Sequence, residues 1–555
     1  MRFDLRAALC LAVPLSGALS VAGCEGDTGG SGGDGPGKEP AAVCDAEAIT
    51  IGPAPLRRLS RTEYLKTVRD LIAPVEPPGL DMIPDKKVDA FDNNETTQTA
   101  TPDLVASYFT AAQQVGDAVS ANAPALVGCS YGSAAEAQAC AEEVAVTLGR
   151  RAYRRPLTEA ETATFRTFLA TGAQKHGFET ALGMFVQGLL LSPGFLYRPE
   201  WGAADPGSPE ELPLAPYELA SRLSFFLWQS MPDEALFAAA ESGSLATPEG
   251  LKAQAERLLA DPRAREAVRD FHRQWMDLDK MKEMSRDEAL FPAWDNASVP
   301  PVLAEATAKY LDHVFWDGEG TVSELFVSPK AYVNDTIAPL YGLEPPGSSE
   351  LVLVDLDPSK RAGFLTQAGP MAALAHEKYD APISRGVFVL RRLLCADLGP
   401  PPPDVADIPP AENGEGPMTT RQRIEQSHSG GTCTGCHDLI NPLGFAFGHY
   451  DAAGQYRTEE SGLPIDATGS SEDLGAFDGA VDLSGKLAES EDVRACVVKQ
   501  WFRFAMGRTE RKADRCALDK LESSFTEGGS TMRDLLMEIV MSDSFRYRTP
   551  MGDTP

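Results

Sequence analysis

The sequence predicts a mainly α protein, a multi-module helical chain with a CxxCH segment and little β structure. Three observations predict it. Side-chain caps stand repeatedly in front of apolar residues spaced three and four apart, the mark of helices with one buried face. Strand signals are sparse. Clusters of Pro and Gly break the chain at intervals that suit separate helical modules. With 555 residues, 43% hydrophobic and 24% charged, the composition is that of a globular chain holding about three to five modules.

In chain order, the first segment reads as an address. Arg2 and Arg6 precede an apolar run from Ala7 to Ala22 that contains Pro14, too short and too broken for a spanning helix and suited to a signal peptide over 1–23. The run ends Val21-Ala22-Gly23-Cys24, which resembles a bacterial lipobox with Cys24 as the lipidated residue. Residues 24–50 form a tether, and its Gly- and Ser-rich stretch Glu25–Pro40 has a reach of roughly 20–25 Å. An N-terminal helical module over 51–140 opens with the capping box Ser60–Glu63 and the staple Leu59–Tyr64. A helix-pair module over 141–205 carries a second box, Thr158–Glu161. A central helical module over 206–345 follows, with helices started by Thr247-Pro248 and Asp261-Pro262. Residues 350–460 hold the CxxCH segment, entered through Gly399-Pro-Pro-Pro-Pro403, and 461–550 form a C-terminal helical module whose last two helices start at Ser490 and Thr531. Leu351–Leu356 alternates weakly, and Leu463–Leu483 has the turn residues of a small hairpin. The last module echoes the helix-pair module. Leu191-Ser-Pro-Gly-Phe-Leu-Tyr-Arg198 matches Met541-Ser-Asp-Ser-Phe-Arg-Tyr-Arg548, and Ala152–Arg155 aligns with Ala505–Arg508.

Charge narrows the partners. Against 50 Lys and Arg stand 81 Asp and Glu, a net −31, which disfavours nucleic acid and anionic membrane surfaces. Membrane attachment is expected through the lipid on Cys24 alone. Ten cysteines are present. Export permits disulfides; with the signal-segment and lipid-site cysteines and Cys433 and Cys436 set aside, six cysteines allow 15 connectivities, of which the local choices are Cys129 with Cys140 and Cys496 with Cys516, leaving Cys44 and Cys395.

The chemistry concentrates in Cys433-Thr434-Gly435-Cys436-His437, the c-type haem attachment pattern. Two thiols three residues apart reach the two vinyl groups of one porphyrin, and the adjacent His437 points at the iron. Pro442 offers a backbone carbonyl for the other ring nitrogen of His437, and Phe445 or Phe447 a wall for the macrocycle. A redox disulfide, half a zinc site and a structural disulfide remain alternatives for the two cysteines. For the second axial position the candidates are His428, nine residues upstream, and His376; Met418, Met506 or an open position are the other choices. Arg385, Arg391, Arg421, Arg423 and Arg457 are candidates for the propionates. No serine nucleophile elbow, zincin motif or calcium loop is present.

Several segments, Leu56–Tyr64, Arg151–Thr158, Leu219–Trp228, Ser384–Phe388 and Cys433–Arg457 with its Tyr450-Asp-Ala-Ala-Gly-Gln-Tyr-Arg457, resemble the large exported cytochrome c-like proteins of planctomycetes and myxobacteria, whose modules are catalogued as domains of unknown function. The resemblance spans about residues 50–550. It implies a haem segment and no known substrate. The expectation is therefore a lipid-anchored protein of the bacterial cell envelope, periplasmic or on the outer membrane, with one covalent haem c and a redox partner protein for electron transfer. A haem-dependent oxidative enzyme on an extracellular substrate and a haemless binding or scaffold protein are the alternatives.

Overall fold

The computed structural model describes residue 44 and residues 51–203, 211–399, 417–427, 434–526 and 530–550. The signal segment, Cys24, the rest of the tether apart from Cys44, the proline-rich crossing after Gly399, His428 and Cys433 lie outside the described residues. From Glu47 onward the helices belong to one compact unit. The strands among the described residues are two to four residues long and pair only in twos. Val352–Asp355 pairs with Lys330–Val333, and the expected hairpin is Thr468–Ser471 against Gly475–Asp478.

Local sequence starts each helix as its chemistry requires. Ser60 accepts from the Glu63 N–H while Glu63 accepts from the Ser60 N–H, and Leu59 and Tyr64 are fully buried beside this cap. Thr247, Asp261 and Ser490 each accept one backbone N–H at the head of their helices, and Thr531 forms a full capping box with Asp534. The N-terminal helices close one apolar core running from Leu59 to Phe195. Within it Pro102–Ala121 crosses Phe178–Leu190 at a glycine pair, where a Cβ on Gly183 would stand 2.3 Å from the Gly116 carbonyl oxygen. A larger core joins the central helices to those of the C-terminal module, with Phe271 stacked on Trp501 at 3.5 Å.

The sequence echo has a structural counterpart. Helix Ala134–Tyr153 ends at Arg154 in the left-handed region, and helix Glu491–Met506 ends at Gly507 in the same conformation. The next residue grips a carboxylate with both nitrogens in each copy: Arg155 on Glu161 at 2.9 and 2.8 Å, Arg508 on Asp514 at 2.6 and 2.7 Å. Each copy finishes in a one-turn helix and a two-residue strand, Pro193–Leu196 with Tyr197–Arg198 and Asp543–Arg546 with Tyr547–Arg548. These strands pair with Arg57–Arg58 and Leu212–Pro213. Leu59 N–H donates to the Leu196 carbonyl, and Leu214 N–H to the Arg546 carbonyl. The two arrangements differ in where the strand partner lies along the chain. In the first copy it precedes the helices by under 100 residues; in the second the central and CxxCH segments intervene.

The cysteine pairing differs from the local expectation. Cys129 bonds Cys140, but Cys496 bonds Cys395, not Cys516. Helix face selects the partner here. Cys496 is 1% exposed and faces the core, where the turn after Val389–Leu393 delivers Cys395. Cys516 follows the reversal at Gly507 on a different helix, Arg515–Thr526. Cys395 is thereby withdrawn from Cys44; Cys44 and Cys516 are each disulfide-bonded.

Candidate functional site

His437 sits on helix Thr434–Phe445, which packs across helix Pro382–Phe388. Two glycines set that crossing. A Cβ on Gly386 would lie 2.2 Å from the Ile440 carbonyl oxygen, and one on Gly444 would lie 2.1 Å from the Pro382 carbonyl oxygen. No side chain fits between the backbones, so the position of His437 is fixed relative to the rest of the unit.

The chain after this helix is held by buried arginines. Arg385 donates to the carbonyls of Phe447, Tyr450, Asp451 and Met371 at 2.8–3.2 Å. Arg286 donates to the Ala452 carbonyl and Arg361 to the Gly454 carbonyl, at 2.7 and 2.8 Å. Gly454 has φ +75°, and a Cβ there would meet the Ala368 backbone at 2.6 Å. Burial pushes the Arg385 guanidinium down to about 10, still far above neutrality, so the clamp stays charged. His449 Nδ1 lies 2.9 Å from the Arg457 carbonyl, and its ring stacks on Tyr456. Arg457 pairs with Asp380 at 3.3 Å, and Thr420 of helix Thr420–Ser427 donates to both Asp380 and Glu460.

Beside His437 lies a pocket of ≈550 Å³. Helix Thr434–Phe445 contributes His437, Asn441 and Phe445, helix Thr420–Ser427 contributes Arg421, and the 468–478 hairpin closes the far side with Thr468, Ser470 and Ala476. His437 is half-buried and Cys436 exposed. His437 Nδ1 lies 3.0 Å from the side-chain oxygen Oδ1 of Asn441. An amide oxygen at that distance pairs with a proton on Nδ1, the tautomer that would leave the Nε2 lone pair for a metal. The carbonyl of Pro442 does not fill the role expected for it; it accepts from the Ala446 N–H. The missed residue, Asn441, is one helical turn beyond His437, and that four-residue spacing is its only sequence signal.

Phe445 shares the pocket with His437, whereas Phe447 is 1% exposed within the large core and does not line it. Arg421 lies 4.9 Å over the Phe445 ring, pairs with Glu425 and Asp466, and donates to the Thr468 carbonyl. The other arginines near the motif are committed elsewhere: Arg385 to the clamp, Arg423 and Arg457 to Glu460, Arg391 to the Gly399 carbonyl. His376 is not brought to the pocket. It sits in the Ala375–Asp380 turn, its N–H on the Tyr379 carbonyl and its ring 4.6 Å from Tyr379. Met506 is buried in the core at the end of its helix, and Met418 lies at the head of helix Thr420–Ser427 without lining the pocket.

Five segments match family profiles in succession, each described as a protein of unknown function: DUF1587 over 57–121, DUF1595 over 140–200, DUF1592 over 214–343, DUF1588 over 361–460 and DUF1585 over 475–545. The chain is a tandem of five modules of unknown function. No curated protein and no solved structure matches it. The DUF1588 match begins at Arg361 and ends at Glu460, so it takes in the clamp, the glycine crossing and His437. The hairpin wall of the pocket straddles the start of the DUF1585 match. No group of three or more His, Cys, Asp or Glu side chains able to hold a metal ion occurs among the described residues. No helix among the described residues is long and apolar enough to cross a membrane.

Proposed function

We propose that the chain is an exported, lipid-anchored protein of the bacterial cell envelope that carries one covalent haem c on Cys433 and Cys436, with His437 on the iron, and that it exchanges electrons with a redox partner protein. The observation that carries this is the His437–Asn441 contact in a pocket shared with Phe445. It leaves Nε2 as the basic nitrogen of an imidazole that stands beside an aromatic wall and one residue after Cys436. Haem bound there supplies one-electron chemistry at the iron. Asn441 holds the imidazole orientation and keeps its proton on Nδ1. Phe445 offers an apolar face, and Arg421 places a fixed positive charge at the rim, suited to a propionate. Cys24 supplies the anchor in this reading.

A second reading, a haem-dependent oxidative enzyme, draws on the far wall. Among the described residues that wall presents hydroxyl, methyl and backbone groups of Thr468, Ser470, Gly469 and Ala476, which suit a substrate beside an open iron position.

The test is expression with the cytochrome c maturation machinery, followed by intact mass and pyridine haemochrome spectra. A mass one haem heavier than the polypeptide supports the proposal, and Cys433→Ala with Cys436→Ala removes the increment. A low-spin spectrum indifferent to cyanide favours electron transfer; a high-spin spectrum that shifts with cyanide favours the enzyme. An unmodified mass overturns both and leaves a haemless binding or scaffold protein. Cys24→Ala is expected to abolish labelling with fatty acid.

A further inference from the structure

A second cavity lies on the opposite side of helix Pro382–Phe388 from the His437 helix, and it has the form of an organic anion site. It encloses ≈250 Å³ between that helix, the 278–282 turn and helix Ala368–Ala373. Its floor is apolar: Met276, Met281 and Phe364 are at most 3% exposed, and Phe388 is 8% exposed. Its rim is cationic, with Lys280, Arg391 and Arg392 against a single carboxylate, Asp277. Two of the three cations are already engaged. Lys280 pairs with Asp277 at 2.9 Å, and Arg391 donates to the Gly399 carbonyl. Arg392 differs: its guanidinium has no hydrogen bond or ion pair among the described residues, and burial pushes its pKa down.

An arginine half-withdrawn from water with no acceptor is costly unless something supplies one. The backbone around it is fixed. Arg392 lies in a wide π-type turn, Val389–Leu393, a feature that recurs at functional sites. Its carbonyl accepts from Trp275 Nε1 at 2.8 Å, and three residues later Cys395 is bonded to Cys496. A cation on a fixed backbone over an apolar floor, in a cavity just below the usual size range for ligand pockets, suits a planar acid with a compact apolar body. We propose that this cavity binds a small organic carboxylate, its carboxylate on the planar fork of Arg392 and its apolar part between Met281, Phe364 and Phe388. The fork geometry matches a carboxylate bidentately. The inference does not depend on haem at Cys433–His437.

The test is calorimetric titration of the full-length chain with benzoate as probe. Saturable one-to-one binding is expected, weakened at least about 10-fold by Arg392→Gln and abolished by Val387→Trp, which fills the cavity. Arg391→Gln is expected to change it less than about 3-fold. Benzyl alcohol, of similar shape without the charge, is expected to bind the unaltered protein at least about 10-fold more weakly, a comparison that needs no variant to fold. Absence of saturable benzoate binding, equal binding by Arg392→Gln, or benzyl alcohol binding as well as benzoate each overturns the proposal. So does inorganic phosphate displacing benzoate at equal concentration, since that describes a bare anion site without apolar recognition.

Discussion

Gly386→Ala tests the geometry that fixes the His437 helix. The added methyl would lie 2.2 Å from the Ile440 carbonyl oxygen, 3.0 Å from its Cγ2 and 3.1 Å from the Gly444 nitrogen. An ordinary contact there is about 1 Å longer, and two of the three obstacles are backbone, which no rotamer change removes. Forcing a methyl into such packing costs about 1–3 kcal/mol, set against a gain of up to ~1 kcal/mol for Ala over Gly in a helix. With the full gain subtracted, the net expectation is a loss of up to about 2 kcal/mol. Gly444→Ala meets the Pro382 carbonyl at 2.1 Å and should cost about the same. Because both changes open one crossing, the double variant should cost less than the sum. Gly485, inside helix Gly479–Glu489 with nothing within 4 Å of an added Cβ, is the control; Gly485→Ala should be neutral or stabilising by up to ~1 kcal/mol. Urea midpoints read at constant slope decide the matter. Gly386→Ala as stable as Gly485→Ala would refute the close-crossing argument.

Arg385→Met removes the donor to four buried carbonyls and should cost more than ~4 kcal/mol, with the 447–451 backbone amides losing hydrogen-exchange protection. Non-reducing peptide mapping should recover Cys129 linked to Cys140 and Cys395 linked to Cys496. Opening the short first loop should cost about 3 kcal/mol, and opening the second, 101 residues apart, about 4–5 kcal/mol; a Cys496–Cys516 peptide would contradict the pairing. Asp92 is pushed up to about 7, first by burial and then by the neighbouring charge of Asp270. The folded chain therefore keeps a proton that the unfolded chain releases above pH ~4, so stability should fall as pH rises from about 4 to 7, by at most ~1.4 kcal/mol per unit from this group. Asp92→Asn should remove that part of the slope; an unchanged pH profile would count against it.

Helix starts were legible because a cap is a local event: Ser60 with Glu63, or Thr158 with Glu161, needs only three residues of context. The 350-residue echo was legible for a related reason, since both copies repeat the same short turn chemistry. Partner choice was not. Cys496 and Cys516 are close in sequence, but bonding depends on which helix face meets which turn, and nothing local encodes that Cys395 arrives there. Lys330–Val333 was missed because its partner strand lies about 20 residues away, with only a weak alternation to mark it. At the candidate site, His437 and Phe445 could be read from the motif. Asn441 is not singled out by the sequence because a backbone carbonyl downstream of the motif, here that of Pro442, serves the same ring nitrogen equally well on paper. Arg385 reads as a propionate candidate in the sequence because its burial rests on carbonyls from a segment more than 60 residues away.

The residues that make this chain recognisable beyond its cysteines divide by what they do. Arg385 and Gly386 within Ser384–Phe388, Gly444, and Gly454 within Tyr450–Arg457 line no part of the His437 pocket. They bring two backbones into contact or hold a loop by its carbonyls. Arg286, from the preceding module, and Arg361 grip the same loop from other directions. Three buried cations aimed at one stretch of backbone are expensive to desolvate, and their geometry is spent on keeping 447–454 in place behind helix Thr434–Phe445. The pocket wall itself is assembled from elements on either side of that loop. Under the proposed function this frame holds helix Thr434–Phe445, and with it an exposed thiol and a half-buried imidazole, ready for a rigid planar group. The pattern thus separates the frame, legible as glycines and arginines with backbone partners, from the proposed site at Cys433–His437, Asn441 and Phe445.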